Sequence, residues 1–283
     1  MLSYRHSFHA GNFADVHKHL VLSLLIDAFK RKTKPFCYID THSGRGHYDL
    51  TSKNAKKNGE FKEGILKLIP QRETPPIAVT TYLNIIQKMN PQSNVTQYPG
   101  SPEIASTLMR EQDQLILTEL HTSEYPVLKE YFKDDKRVAV HHQNGYQSLK
   151  AFIPPKQKRG LVLVDPSYEL ADEYERVAQQ VIAAQRKWPT GCYVIWYPIL
   201  LRSTIDAFEQ RFIRSGIDKI LVSEMCIHQD DVAKRLNGSG MLMVNPPWQI
   251  DELLLEVQPW LLTQLRQQHH GKQRLEWIVE ESG

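Results

Sequence analysis

Short apolar runs, each closed by polar or turn residues, recur along the chain and constrain its fold more than any other feature. The seven runs lie at residues 35–40, 114–119, 137–142, 160–165, 192–197, 219–224 and 240–245. Segments with apolar residues at helical spacing separate most of these runs. Strands that alternate with helices are typical of a mostly parallel sheet covered on both faces. We therefore predict an α/β fold with a seven-stranded sheet.

Two spacings depart from a regular alternation. The sixth and seventh runs are separated by about sixteen residues that include the turn residues 237–240, NGSG. That is short for a crossover helix, which makes the seventh strand a candidate for an antiparallel one. The first two runs end at Asp40 and Glu119, 79 residues apart, whereas a strand–helix–strand unit takes roughly 30 residues.

An insertion in the first half of the chain explains that long gap. Residues 50–97 contain a lysine-rich stretch and helical patterning, which predict a small helical subdomain rather than a structureless loop. Residues 1–49 would then hold an N-terminal flap, an amphipathic helix over Phe13–Lys32, the first strand and a glycine turn. Residues 98–283 would complete the main domain.

Composition and charge narrow the function. Of the 283 residues, 41% are hydrophobic and 24% are charged, ordinary values for a globular protein, and no apolar stretch approaches the ~20 residues needed to cross a bilayer. Three separated cysteines exclude a disulfide framework and favour a cytoplasmic location. Residues 1–72 carry 13 Lys and Arg against 6 Asp and Glu, and the remainder carries 22 against 26. The basic quarter fits either a polyanion-binding face or a solvated lysine-rich surface.

A glycine turn follows the first predicted strand at residues 40–46, DTHSGRG. Glycines at such a turn let a ligand approach the backbone closely, although two glycines alone also fit a structural turn. Glu119 ends the second strand, where an acid can accept hydrogen bonds from ribose hydroxyls. Together these features favour a nucleotide-like ligand at this edge of the sheet.

The tetrapeptide Asp165-Pro166-Ser167-Tyr168 follows the fourth strand and suits chemistry on an exocyclic amine. Because the amine lone pair of adenine is delocalised into the ring, the nitrogen is a poor nucleophile. The Asp165 carboxylate and the Pro166 carbonyl could accept both amine hydrogens, and Tyr168 could stack on the extruded base. An ordinary Asp-Pro turn is the alternative interpretation.

A second tetrapeptide, Asn245-Pro246-Pro247-Trp248, matches the amino-methyltransferase motif more literally. It follows the seventh strand, however. If that strand is antiparallel, Asn245 lies at the opposite edge of the sheet from Asp40 and Glu119. We therefore do not expect Asn245 to be catalytic.

The N-terminal segment 4–19 is dense in histidine, aromatic and basic residues, which suits a flap that contacts phosphates and bases. His17 and His19 are two residues apart on a helix and point in different directions, so we expect no metal site there. No serine or cysteine lies in a recognisable nucleophile pattern, so a covalent intermediate is not expected.

The chain resembles the family of large-subunit ribosomal RNA methyltransferases J. The resemblance rests on motifs that occur in the family's order and span nearly the whole chain: FADVHKHLVL (13–22), DTHSGRGHYDL (40–50), YPGSP (98–102), LTELH (117–121), NGY (144–146) and DPSYE (165–169). It implies a Rossmann-like S-adenosyl-L-methionine-dependent methyltransferase fold with an inserted helical subdomain. It also implies methylation of N6 of a flipped-out adenine in 23S ribosomal RNA, with S-adenosyl-L-homocysteine as product and no metal.

The resemblance assigns roles by motif position. The implied cofactor contacts are His19, His42, Ser101, Glu119, Asn144, Gly145 and Asp165. The implied catalytic residues are Asp165, Pro166 and Tyr168. The implied RNA contacts are Tyr4, His6 and Lys18. Ser167 is a departure, because the family usually carries a second proline there, and it puts the rigidity of that loop in question.

Other classes of protein fit part of the pattern. A DNA adenine-N6 methyltransferase shares all of the chemistry, and a non-enzymatic nucleic-acid-binding protein could use an inactive methyltransferase scaffold. An NAD-dependent oxidoreductase fits less well, because the glycine pattern is reduced and DPSY is unexplained. We expect a monomer, without membrane association.

Overall fold

The structure, a computed structural model, describes residues 5–69, 74–92, 94–228, 236–267 and 271–281. Its strands are β1 Cys37–Asp40, β2 His47–Asp49, β3 Gln97–Pro99, β4 Gln114–Glu119, β5 Val138–His142, β6 Gly160–Val164, β7 Cys192–Ile199, β8 Ile220–Cys226, β9 Gly238–Val244 and β10 Lys272–Val279. Its α-helices are α1 Phe13–Lys30, α2 Lys53–Asn58, α3 Ile65–Leu68, α4 Ile77–Met89, α5 Ser101–Leu108, α6 Tyr125–Tyr131, α7 Gly145–Ala151, α8 Glu173–Lys187, α9 Arg202–Ile213 and α10 Ile250–Leu265.

Eight strands form the main sheet in the order β10-β8-β9-β7-β6-β1-β4-β5. The five neighbouring strands β7, β6, β1, β4 and β5 are parallel to one another. β9 runs antiparallel to both of its neighbours, β7 and β8. The expected mostly parallel sheet and the antiparallel seventh run are therefore confirmed.

The predicted number of strands is wrong, because β10 adds an eighth strand by pairing antiparallel with β8. β10 lies at the edge of the sheet and reads KQRLEWIV, with charged residues that keep its sequence from resembling an apolar run. Charged residues are usual on edge strands because they discourage pairing with another chain.

Helices cover both faces of the sheet, as predicted. One hydrophobic cluster contains buried residues of α1, α4, α5 and α10. The other contains buried residues of α7, α8 and α9. None of the described helices has the length and apolar character that a membrane span requires.

Helix α1 differs from the expected amphipathic helix, because it is enclosed by protein along nearly its whole length. It begins after Asn12, whose side chain accepts a hydrogen bond from the Asp15 backbone N–H, and ends two residues earlier than predicted. The polar residues Asp15, His17 and Lys18 are all buried. Buried polar and charged groups require partners. His17 lies within hydrogen-bond distance of the Ser223 and Ser239 hydroxyls, whereas His6 and Asp165, which pair with Asp15 and Lys18, line a cavity.

The segment between β2 and β3 folds into the helices α2, α3 and α4, with a 3₁₀ turn at Glu60–Glu63. β2 and β3 pair with each other, which brings the two ends of the segment together. α4 packs on α1 and α10. The helical content is as expected, while the division into domains at residues 50 and 97 stays a prediction.

Candidate active site

The candidate site lies where the order of the sheet reverses. β1 stands between β4 and β6, and Asp40 is in register with Leu117 on one side and Leu163 on the other. Glu119 and Asp165 follow those partners by two residues, so all three carboxylates lie at the same edge. Ligands of open α/β sheets bind at this kind of position.

A cavity of about 180 Å³ opens at this edge. The residues predicted from the sequence that line it are His6, Lys18, His19, His42, Ser101, Glu119, Asn144, Gly145, Asp165 and Pro166. The cavity is also lined by side chains to which the sequence analysis gave no role, including Tyr48, Tyr146 and Glu173. Tyr4 was predicted to contact RNA and lies outside the described residues.

Two glycines in the cavity wall pack too closely against their neighbours to carry a side chain. Gly44 has a φ of +60°, and a Cβ there would lie 2.3 Å from the Tyr48 hydroxyl oxygen. A Cβ on Gly145, at the start of α7, would lie 2.1 Å from the Thr41 carbonyl oxygen. Both positions therefore require glycine, which lets the two backbone segments form a close-packed wall.

Glu119 bridges two loops at the end of β4. One carboxylate oxygen accepts a hydrogen bond from the Gly44 N–H at 2.7 Å, and the other accepts one from the His121 N–H at 2.6 Å. Burial raises the pKa of Glu119, although these two hydrogen bonds oppose the shift. Each oxygen keeps a further lone pair that can accept a hydrogen bond from a ligand hydroxyl.

Asp40 is the chief polar residue that sequence reasoning left without a role. It is fully buried and accepts hydrogen bonds from the Tyr38 hydroxyl and the Ser101 hydroxyl, both at 2.7 Å, and from the His42 N–H at 3.1 Å. Burial raises the pKa of Asp40 despite these bonds. The residue ties the glycine turn to the start of α5, and its place as the last residue of β1 was the available signal.

Two histidines in the cavity wall are held neutral. Burial lowers the pKa of His42 to about 4 and places that of His19 well below its usual value. His42 Nδ1 lies 2.8 Å from the Thr41 hydroxyl oxygen, and His19 Nδ1 lies 2.9 Å from the Tyr98 hydroxyl oxygen. Near neutral pH these rings present hydrogen-bonding atoms and no positive charge.

A chain of charged groups connects α1 to Asp165. Lys18 Nζ lies 2.6 Å from Asp165 Oδ2 and 2.9 Å from Asp15 Oδ1. The other oxygen of Asp15 accepts hydrogen bonds from the Gly11 N–H at 3.0 Å and pairs with His6 Nε2 at 2.8 Å. The Lys18 side chain is 4% exposed and that of Asp165 is 13% exposed.

Burial and neighbouring charges shift the pKa values of Lys18 and Asp15 in opposite directions. Burial disfavours the charged form of Lys18, but the carboxylates of Asp15 and Asp165 overcome that effect and raise its pKa above the usual value. Burial likewise opposes ionisation of Asp15, but the charges of His6 and Lys18 hold its pKa well below the usual range. Lys18 is therefore a fixed cation that orients Asp165 toward the cavity. Among the described residues, Asp165 Oδ1 has no hydrogen-bond partner.

Tyr168 lies beside the cavity rather than in its lining. Its hydroxyl donates to the Trp196 carbonyl at 2.8 Å, and its ring centroid lies 4.6 Å from that of Tyr174. Its φ of +51° places the residue in the left-handed region, which is uncommon for a bulky residue and is often found at functional sites. Ser167, the departure from the family pattern, does line the cavity.

The second tetrapeptide lies at the opposite edge of the sheet. The Asn245 N–H donates to the Lys219 carbonyl at 2.9 Å, next to the start of β8. Its side-chain amide lies 3.4 Å from the carbonyl of Gly191, just before β7. The antiparallel direction of β9 thus separates Asn245 from Asp40 and Glu119, as the sequence analysis expected.

Within the described part of the chain, no group of three or more His, Cys, Asp and Glu residues is arranged to hold a metal ion. The fold and the cavity together define a Rossmann-like protein with a ligand site formed by a glycine turn and carboxylates at the ends of neighbouring strands.

Comparison with known proteins gives the family. Residues 33–279 match the family described as "Ribosomal RNA large subunit methyltransferase D, RlmJ", and the chain belongs to this family. It is 44% identical over 281 residues to the Ribosomal RNA large subunit methyltransferase J of Escherichia coli strain K12, covering 99% of this chain and 100% of that protein. The Haemophilus influenzae protein of the same name is also 44% identical, over 282 residues, with the same coverage.

A solved structure agrees with the fold. The crystal structure of a Legionella pneumophila protein is similar to this chain with a TM-score of 0.88 at 35% sequence identity. The similarity covers 95% of this chain and 98% of that one. The methyltransferase family expected from the sequence motifs is therefore confirmed.

Proposed function

We propose that this chain transfers a methyl group from S-adenosyl-L-methionine to N6 of an adenine in 23S ribosomal RNA. The observation that carries the proposal is the placement of Asp165 and Pro166 in the same cavity as Glu119 and the glycine turn. Two relatives that are 44% identical over their full lengths are named as large-subunit ribosomal RNA methyltransferases. Adenine N6 is the acceptor that suits an Asp-Pro pair, as argued from the sequence.

The cavity fits the cofactor that the family implies. Glu119 can accept hydrogen bonds from ribose hydroxyls, and Gly44, Asn144 and Gly145 line the same cavity, where a flat ring would lie against them. The neutral imidazoles of His19 and His42 add no positive charge beside a cationic group. S-adenosyl-L-methionine, when bound, supplies an electrophilic methyl group on a sulfonium.

The chain's own residues would orient the acceptor. Asp165 Oδ1 and the Pro166 carbonyl would accept the two hydrogens of the adenine amine and direct the nitrogen lone pair into the cavity. Lys18 would hold the Asp165 side chain in place through Oδ2. Because the reaction is a direct displacement, the protein contributes mainly orientation, and one amine proton leaves through Asp165 or water. Tyr168 would stack on the base after rearrangement of its loop, and His6 would cover the site.

The test is methylation of protein-free 23S ribosomal RNA, transcribed in vitro, with radiolabelled S-adenosyl-L-methionine and mass mapping of the product. We expect N6-methyladenine at one position. Transfer to duplex DNA but not to this RNA would establish the DNA alternative instead. RNA binding without transfer by a protein that S-adenosyl-L-methionine stabilises against thermal unfolding would contradict the proposed reaction.

A further inference from the structure

A row of exposed lysines on α2 lies next to the cavity and is unused by the proposed chemistry. Lys53, Lys56 and Lys57 are spaced i, i+3 and i+4, so they share one face of the helix. All three are exposed, whereas Ala55 on the other face is buried. We call Lys53, Lys56 and Lys57 the α2 lysine row.

The helix that carries this row packs on the 3₁₀ turn His6–Phe8, whose first residue lines the cavity. The Asn54 side chain donates to the Ser7 hydroxyl at 3.0 Å, and Lys57 Nζ lies 5.6 Å from the centre of the Phe8 ring. The neighbouring residue His6 lines the cavity, and its ring centroid lies 5.1 Å from that of Tyr48, four residues before Ser52. The row is thus attached to the wall of the cavity that His6 and Tyr48 form.

The lysines of the row have no carboxylate partner among the described residues. The nearby acids are used elsewhere: Glu60 pairs with His9, and Glu63 pairs with Lys67. Among the described residues, no ion pair joins the α2 lysine row to a carboxylate. Like charges at i and i+4, such as Lys53 and Lys57, destabilise a helix slightly. A bound polyanion would offset this repulsion.

We infer that the α2 lysine row binds phosphates of the RNA strand that flanks the target adenine. This inference rests on the proposed function, because a base in the cavity places its neighbouring phosphates at the mouth. Contacts to phosphates position a nucleic acid without reading its sequence, and lysines on flexible stems can supply such contacts as point charges. The row would thus act on affinity and register rather than on the chemical step.

A second basic cluster provides a matched control. Arg31, Lys32 and Lys34 are exposed and lie after the end of α1, before β1 begins. They therefore lie at the amino edge of the sheet, about 20 Å along the helix from Lys18 at 1.5 Å per residue. Both clusters carry three positive charges, but only the α2 lysine row adjoins the cavity.

The experiment compares K53Q/K56Q/K57Q with R31Q/K32Q/K34Q, using a protein-free 23S ribosomal RNA transcript for methylation and for binding by fluorescence anisotropy. At physiological ionic strength we expect the α2 variant to raise KM and Kd for the RNA about tenfold or more, and to reduce the slope of log K against log salt by about 2 to 3. The control variant should change both by less than about twofold. Lys57 also contacts Phe8, so K53Q/K56Q is a second variant that leaves this contact intact. It should show about two-thirds of the change in the slope of log K against log salt.

The outcomes separate the inference from the proposed function. Equal effects of the two triple variants, or no effect of either α2 variant while the wild type methylates the RNA, would overturn the inference alone. If the wild type binds the RNA but methylates none of its adenines, the proposed function fails, and the salt slope still decides whether the row binds phosphate. Affinity for S-adenosyl-L-methionine, measured by calorimetry, should be the same in all variants.

Discussion

Two similar tetrapeptides lie at opposite edges of the same sheet. Asp165-Pro166-Ser167-Tyr168 follows the parallel strand β6 and enters the cavity, and Asn245-Pro246-Pro247-Trp248 follows the antiparallel strand β9. Asp165 is held by the buried Lys18, whereas Trp248 is 78% exposed. The second peptide is closer to the common motif, yet it cannot reach the glycine turn. The direction of the preceding strand, rather than similarity to the motif, decides which of the two tetrapeptides can reach the cavity.

The largest expected effect is on kcat and distinguishes Asp165 from Asn245, the first residues of the two tetrapeptides. Asp165→Ala should lower kcat for RNA methylation by about 10²- to 10⁴-fold, because it removes the acceptor of the amine hydrogens. Asn245→Ala should retain kcat within about threefold, since that side chain lies at the other edge. Methylation kinetics and calorimetric binding of S-adenosyl-L-methionine check this, and the Asp165 variant should still bind the cofactor. Comparable losses of kcat in the two variants would contradict the proposal that Asp165, and not Asn245, takes part in methyl transfer.

The ion pairs at the two edges should differ in their contribution to stability. Lys18→Met removes the buried cation between Asp15 and Asp165, leaves Asp15 with His6 as its ion-pair partner, and should lower the free energy of unfolding by about 3–5 kcal/mol. Lys219→Met breaks a 3.2 Å pair with the largely exposed Glu281 and should cost about 0–1 kcal/mol. Urea unfolding followed by circular dichroism measures both.

A double variant identifies the cause of that loss. Asp15→Asn combined with Lys18→Met should recover part of the lost stability, because it also removes the buried charge that Lys18 balanced. A double variant no more stable than Lys18→Met would indicate lost packing instead.

Acid should lower the free energy of unfolding because His42, at the edge of the sheet that holds the cavity, has a lowered pKa. Its pKa is about 4 in the folded protein because burial disfavours the cation, against about 6.5 in an unfolded chain. Between those values the unfolded state binds the proton and the folded state does not, so stability falls as pH falls from about 6.5 to about 4. This histidine should contribute up to about 1.4 kcal/mol per pH unit to the slope.

The variant His42→Gln tests that contribution. Its unfolding free energy, measured in urea between about pH 7 and pH 5, should depend less on pH than that of the wild type. Asn245→Ala is the control and should keep the slope of the wild type. An unchanged slope in His42→Gln would show that His42 does not carry the effect.

The smallest expected difference concerns the aromatic residues that end the two peptides. Tyr168→Phe removes the hydrogen bond to the Trp196 carbonyl and should lower the free energy of unfolding by about 1 kcal/mol. Trp248→Ala changes a largely exposed side chain and should alter it by less than about 0.5 kcal/mol. Thermal unfolding of the two variants, at one pH and salt concentration, orders the effects. The reverse order would mean that Trp248 is covered in solution.

Elements with a local signal were predictable from the sequence. The apolar runs identified the central strands because a parallel strand buried on both faces excludes charge. The short connection before β9 indicated its reversed direction. β10 was missed because an edge strand tolerates the charges of Lys272 and Glu276, and β2 and β3 because three-residue strands carry too little pattern.

The candidate site was predictable as far as its residues end strands or lie in motifs. Glu119 ends β4, Asn144 and Asp165 follow β5 and β6, and the resemblance to the family named their roles. Asp15 was missed as a site residue because nothing local distinguishes a buried carboxylate from an exposed one, and Asp40 was missed although its place at the end of β1 was a signal. Their partners, Lys18 for Asp15 and Ser101 for Asp40, include a contact 61 residues away in sequence.

The sequence by itself determined the class of fold, the family and the predicted ligand-binding edge of the sheet. The reason is that hydrophobic periodicity and the order of strands and motifs along the chain can be read from neighbouring residues. Only the tertiary structure decided that α1 is buried along nearly its whole length, that Lys18 joins Asp15 to Asp165, and that α2 packs on the turn that carries His6. The physical reason is that burial and ion pairing depend on which segments meet in space, and distant segments meet only after the chain has folded.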